Sequence, residues 1–336
     1  MALSIRGAGA LLVRIPTALF PIALGLAGLG SAFRIAAQPL SLEVLHAVGF
    51  GLLIAASLVL ASDVLLYLVK LLRDRQAVAD DISMATQANL LAPGFMAAMV
   101  IGGALSAIWP GGQLLWLAAS LGHMILLLGF VGLWLTHDYA PSDLNPTWFL
   151  PAAGIMTSAM TWPNYGPVAF PVLTLGIGAM LWLMLVPLVF RRLVFEPAVA
   201  PELRPTLFII AAPFGLLAGA LLTLFPQISW HGPLLLLSGG AFFILTLVLQ
   251  FRFVFGAGVT LSWWATTFPV ATVAAGLFRI SEAAGELAFF AGAALLLLAC
   301  LTTTIALIAT IRATWCTCTK TVARTEAQIE AMQGGH

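Results

Sequence analysis

Apolar runs about as long as a bilayer is thick follow one another along nearly the whole chain, parted by short polar breaks. A helix needs roughly 20 apolar residues to cross the hydrocarbon core of a membrane. The pattern predicts ten such helices, over 15–34, 44–70, 88–109, 112–135, 146–163, 167–190, 205–225, 232–251, 258–278 and 286–311. The predicted fold class is therefore all-α integral membrane. One transmembrane domain, 15–311, lies between a short N-terminal segment, 1–14, and a polar tail, 312–336, with no soluble domain. The first run, after Arg6 and Arg14 and before Ala36-Ala37, has some features of a signal peptide. It is too long for one and nine similar runs follow it, so it reads as the first membrane helix.

Composition supports this class. Hydrophobic residues make up 61% of the 336 and charged residues 8%. A soluble domain carries about a quarter charged residues, so most of this surface must face lipid. The net charge of +1 gives no sign of a nucleic-acid partner. Three cysteines, Cys300, Cys316 and Cys318, are too few for a disulfide framework and read as residues in or near the last helix.

Cytoplasmic loops of membrane proteins are enriched in Lys and Arg. With the N-terminus inside, twelve of the fourteen basic residues fall on cytoplasmic segments: Arg6, Arg14, Lys70, Arg73, Arg75, Arg191, Arg192, Arg204, Arg252, Arg312, Lys320 and Arg324. Only Arg34 and Arg279 fall outside. This bias predicts a multi-pass protein of the cell's inner membrane with both termini in the cytoplasm.

Prolines recur in the odd-numbered stretches, at Pro21, Pro93, Pro151, Pro213 and Pro269, with spacings of 72, 58, 62 and 56. Each spacing is close to the length of one helical hairpin, and small residues follow each proline. A proline inside a helix bends it and frees a carbonyl. In a bilayer such a carbonyl is tolerated where protein or water satisfies it. The recurrence predicts five hairpins around a quasi-fivefold central pore, with kinked odd helices packed inside through small residues and straighter even helices outside.

Ionisable residues within membrane helices usually mark function, and few are present. Asp63, in the second stretch, is a possible proton-coupling group or a structural ion-pair member. His123 reads as a packed, hydrogen-bonded histidine and His46 as interfacial; the two could hold a haem only if both stood at matched depths in facing helices. Asp80-Asp81 is a single acidic pair, whereas membrane prenyltransferases need acidic magnesium sites on two helices. No H-E-x-x-H, G-x-S-x-G or phosphate-binding glycine loop is present, so neither an enzyme nor a cofactor is expected. The odd stretches carry no carboxylate that would repel an anion. Hydroxyls at Ser31, Ser106, Thr157, Ser158, Ser262, Thr266 and Thr267 are candidate pore donors or ordinary packing groups. Phe20, Phe95, Phe214 and Phe268 stand beside the prolines and are candidate pore plugs or packing rings.

Four segments carry a family resemblance: Pro16-Thr-Ala-Leu-Phe-Pro-Ile-Ala-Leu-Gly-Leu-Ala27, Pro146-Thr-Trp-Phe-Leu-Pro151, Arg204-Pro-Thr-Leu207 and Trp263-Trp-Ala-Thr-Thr-Phe-Pro269. The sequence resembles the tellurite-resistance/dicarboxylate transporter (TehA) family, which is related to plant slow-type anion channels. The resemblance runs over all ten stretches. It implies a fivefold hairpin pore in a homotrimer. A phenylalanine of the ninth helix, within a W-A-x-x-F pattern, occludes the pore in that family and maps onto Phe268. Small inorganic or organic anions are the implied cargo. Pro21 departs from the glycine that relatives often carry after the aromatic residue. The leading expectation is an anion channel gated by Phe268. The alternative is a proton-linked carrier or exporter of C4-dicarboxylates, sulfite or tellurite, coupled through Asp63.

Overall fold

A computed structural model describes residues 17–333 of the chain. The segment 1–14, with Arg6 and Arg14, and the side chains at 85 and 313–333, with Cys316, Cys318, Lys320 and Arg324, lie outside the described residues. The described elements are all helical. They are α1 (Phe20–Leu40), α2 (Glu43–Arg73), α3 (Arg75–Ser83), α4 (Ala85–Asn89), α5 (Ala92–Leu105) and α6 (Gly111–Thr136). There follow α7 (Phe149–Gly154), α8 (Met156–Met160), α9 (Ala169–Phe195), α10 (Ala212–Leu224) and α11 (His231–Leu249). The chain ends in α12 (Phe251–Val254), α13 (Trp264–Ala284) and α14 (Glu286–Gln333).

Nine helices among the described residues are long and apolar enough to span a bilayer, once the lead-in turns are counted with the helices they open. They fall into two classes by burial. In Thr17–Leu40, Thr86–Leu105, Pro201–Leu224 and Leu261–Ala284, between 61% and 78% of the apolar core is buried. In α2, α6, α9, α11 and the apolar part of α14 the share is 17–33%. The exposed faces of this second class carry large apolar residues at heptad spacing: Leu58, Leu65 and Leu72 on α2, and Leu121, Leu128 and Leu135 on α6. Such faces suit a hydrocarbon solvent and would be a liability in water. The protein is a helical membrane protein.

The stretch predicted over 146–163 differs from the others. It is a 3₁₀ turn (Pro146–Trp148), then α7, a break at Ile155, then α8. It nevertheless runs alongside α5. Asn89 Nδ2 donates to Thr147 Oγ1 at 3.1 Å at one end, and Gly103 of α5 packs against the carbonyl of Thr161 at the other. Residues 145–159 are all buried. At the break the backbone pairing changes. The Ile155 N–H bonds Ala153, and the Pro151 carbonyl instead meets His123 Nε2 of α6 at 3.0 Å.

Three of the recurrent prolines also differ from the kinks expected of them. Pro21, Pro93 and Pro213 occupy the first turn of α1, α5 and α10. A first-turn proline lacks only an N–H that would have no partner there, so it starts the α-helix without bending it. Before α1 and α10 the chain is already wound as 3₁₀ helix, Thr17–Leu19 and Pro201–Ala211. Of the five, only Pro269 lies well inside a long α-helix, in α13.

The buried helices pack on one another and each carries an exposed neighbour. α1 packs on α2, α5 and α13; α10 packs on α8, α11 and α13; α5 packs on α6, α7 and α8. α9 covers α7 and α8, and α14 covers α13. A buried ion pair, Lys70 Nζ to Asp81 Oδ2 at 2.6 Å, fastens α3 back onto the end of α2.

Candidate functional site

A cavity of about 720 Å³ opens at the face where α1, α5, α8, α10 and α13 end. Its lining follows one side of each helix. On α1 the lining includes Gly28, Ser31, Arg34, Ile35 and Gln38; on α5 it is Val100, Gly103 and Ala104. On α13 the set begins at Phe268 and continues through Ala271, Thr272, Ala275 and Arg279 to Glu282. Steps of three and four residues keep these side chains on one helical face. Met160 at the end of α8, Thr161 and Trp162 just after it, Gly219 and Thr223 on α10 and His46 on α2 add to the wall.

Phe268 is the innermost lining residue on α13 and is only 3% exposed. Its ring rests on Gly28 of α1, where an added Cβ would stand 2.7 Å from Cδ2. The Phe268 carbonyl accepts a 3.0 Å hydrogen bond from the Thr272 hydroxyl one turn further out. Pro269 follows inside the helix, buried with it.

The other predicted rings are placed differently. Phe20 is buried against Gly94 of α5 and meets Tyr67 of α2 edge-on, with centroids 5.8 Å apart. Phe95 turns towards α6, where it packs on Gly122 and His123. Phe214 turns towards α9 and α11, in contact with Trp182 and Phe243 and against Gly239. None of these three lines the cavity.

Among the hydroxyls, Ser31 lines the cavity. Thr266 and Thr267 are fully buried and donate to the carbonyls of Trp263 and Trp264 at 2.7 and 2.9 Å. Ser262 donates to the Glu202 carbonyl, and Ser106 to that of Gly103. Thr157 and Ser158 are buried in α8 with no partner for either hydroxyl oxygen. Asp63 is buried on α2, its Oδ2 unpartnered, and it does not line the cavity. His46 lines the cavity, whereas His123 is buried against Pro151, so the structure does not bring the two histidines together. Pro93, Pro151 and Pro213 are buried at the start of their helices, and Pro21 is half-buried in the first turn of α1.

Two charged lining residues, Arg34 and Arg279, were read from the sequence only as markers of orientation. Arg279 Nη1 donates to the Gly219 carbonyl at 3.1 Å and to Thr223 Oγ1 at 3.0 Å, tying α13 to α10. Arg34 Nη1 reaches the Ala104 carbonyl at 3.5 Å, from α1 to α5. Among the described residues no carboxylate lies within 4.0 Å of either guanidinium. With Glu282 as the lining carboxylate, two positive groups stand against one negative. A cavity with apolar walls and a surplus of fixed positive charge attracts anions.

A family model described as voltage-dependent anion channel, SLAC1, matches residues 14–312. A search of curated proteins returns no match. The matched region contains all nine spanning helices and every cavity residue. By this match the chain belongs to the voltage-dependent anion channel family, whose members carry anions across membranes.

Proposed function

We propose that this protein passes small anions along a central pathway between α1, α5, α7–α8, α10 and α13, with Phe268 as its gate. The observation that carries the reading is the cavity itself. All five buried segments contribute to its wall, it holds a surplus of positive charge, and its innermost α13 residue is the Phe268 ring. A ring across a narrow apolar passage blocks an anion by occlusion and by removing water.

In this reading the segment 146–160 is the fifth of ten membrane passages. α1–α2, α5–α6, α7/α8–α9, α10–α11 and α13–α14 are then five hairpins around a quasi-fivefold axis. The mutual packing of the buried helices supports this arrangement. The charge bias favours cytoplasmic termini in an inner membrane, and the family resemblance favours a homotrimer with one pathway per subunit.

The carrier reading for C4-dicarboxylates, sulfite or tellurite has one observation in its favour, the unpartnered Asp63 Oδ2. Liposome flux of chloride, nitrate, sulfite and malate, with and without a pH gradient, separates the two. A channel gives anion flux that persists when the pH gradient is removed. Flux that collapses with the gradient, and again in Asp63→Asn, overturns the channel reading.

A further inference from the structure

We propose that Arg34 and Arg279 form a docking site for a small oxyanion or carboxylate in the vestibule, outside the Phe268 constriction. The inference rests on the anion-pathway reading and adds to it a ligand class and two residues. Both arginines lie on the cavity-facing sides of their helices. At 1.5 Å rise per residue, Arg34 is roughly 9 Å and Arg279 roughly 16 Å along its helix from the Gly28–Phe268 contact. An anion between them has entered the protein but has not reached the gate.

A purely structural role accounts for part of each side chain. The last carbonyls of a helix lack partners and form the negative end of its dipole; Arg34 reaches one of these, Ala104 of α5, and Arg279 reaches Gly219 in the second-last turn of α10. Arg279 uses only Nη1 for this, on Gly219 and Thr223. Its Nε and Nη2 have no protein partner among the described residues, and the side chain is exposed. Arg34 makes one long contact through Nη1, and its buried Nε has no partner. Neither cation is neutralised by a carboxylate, and Glu282 nearer the mouth offsets only one of the two. Arg279 is exposed to this space and Arg34 is half-buried; with Glu282 as the lining carboxylate, a bound anion balances the positive charge that remains.

The donor geometry selects the ligand class. On Arg279, Nε–H and Nη2–H form a planar fork that matches two oxygens on one face of nitrate, sulfite or a carboxylate; Arg34, whose Nε is buried, adds charge beside it. A spherical halide engages the same fork with a single acceptor. Ser31, Gln38 and Thr272 line the same space and supply further polar contacts.

The test is the concentration dependence of current through the full-length protein in planar bilayers. Nitrate, malate or chloride is added only on the cavity side. For nitrate and malate, Arg34→Gln and Arg279→Gln should each raise the half-saturating concentration about tenfold, the loss of one charge-assisted contact. Chloride should shift less. Arg279→Lys keeps the charge and loses the fork, so nitrate and malate should weaken while chloride stays near wild type. If a glutamine variant fails to fold, as judged by size-exclusion elution, the lysine variants carry the test. Arg191→Gln, an exposed residue of α9 outside the cavity, should leave all values unchanged. Anion currents that saturate as in wild type in both the Arg34 and Arg279 variants overturn this inference and leave the anion pathway standing. Absence of anion current in wild type and in Phe268→Ala overturns both.

Discussion

The ring of Phe268 on α13 is seated on Gly28 of α1, so closely that a methyl group at position 28 would stand 2.7 Å from its Cδ2. The lack of a side chain on one helix thus sets the position of an aromatic ring on another. Gly28→Ala should push the ring towards the cavity and lower anion conductance. In a Phe268→Ala background the same change should have little effect, because the clashing partner is gone. Additive effects of the two substitutions would show that the glycine acts elsewhere.

His123 Nε2 lies 3.0 Å from the Pro151 carbonyl, and both are buried. A carbonyl only accepts, so the neutral ring carries its proton on Nε2. His123→Leu leaves that carbonyl unsatisfied at the helix break and should destabilise the protein by about 1–3 kcal/mol. Thermal unfolding in detergent measures the loss. His123→Gln, which retains a donor, should recover part of it; equal melting of the Leu and Gln variants would argue against the hydrogen bond.

Lys70 and Asp81 are 3% and 12% exposed in their 2.6 Å pair. Removing one member strands a buried charge, so Lys70→Met should cost about 3–5 kcal/mol. Replacing both with apolar residues should restore much of that loss. Thermal unfolding of the single and double variants decides it, and a double variant no better than Lys70→Met would contradict the account.

Long apolar runs were legible because a lipid-facing helix needs little besides length and hydropathy, and nine of the ten predicted stretches overlap spans that are long and apolar enough to cross a membrane. The fifth was harder to read. Beside its interruption at Ile155 the Pro151 carbonyl is met by a histidine of α6, a partner that no local pattern announces. The prolines were found in the right stretches, but a first-turn proline and a mid-helix proline look alike when the preceding 3₁₀ turn is itself apolar.

Of the candidate gate and pore residues read from the sequence, Phe268 and Ser31 line the cavity. Phe268, Phe95 and Phe214 have similar sequence surroundings. The glycine each ring packs on separates them: Gly28 on a buried helix, Gly122 and Gly239 on exposed ones. Thr266 and Thr267 looked like pore donors because a hydroxyl's direction is invisible in sequence, yet both are turned onto carbonyls of their own helix. Arg34 and Arg279 left a usable signal. They are the two basic residues set apart from the other twelve, each near the far end of an odd-numbered stretch. Both line the cavity.

The central claim is that the Phe268 ring closes an anion pathway, and the conductance of Phe268→Ala tests it most directly. Wild-type and variant protein are compared in the same bilayer, under a nitrate gradient at matched protein density. The account predicts an anion current at least about tenfold above wild type, since removal of an occluding ring leaves a hydrated passage. A folded Phe268→Ala protein with wild-type conductance would contradict it.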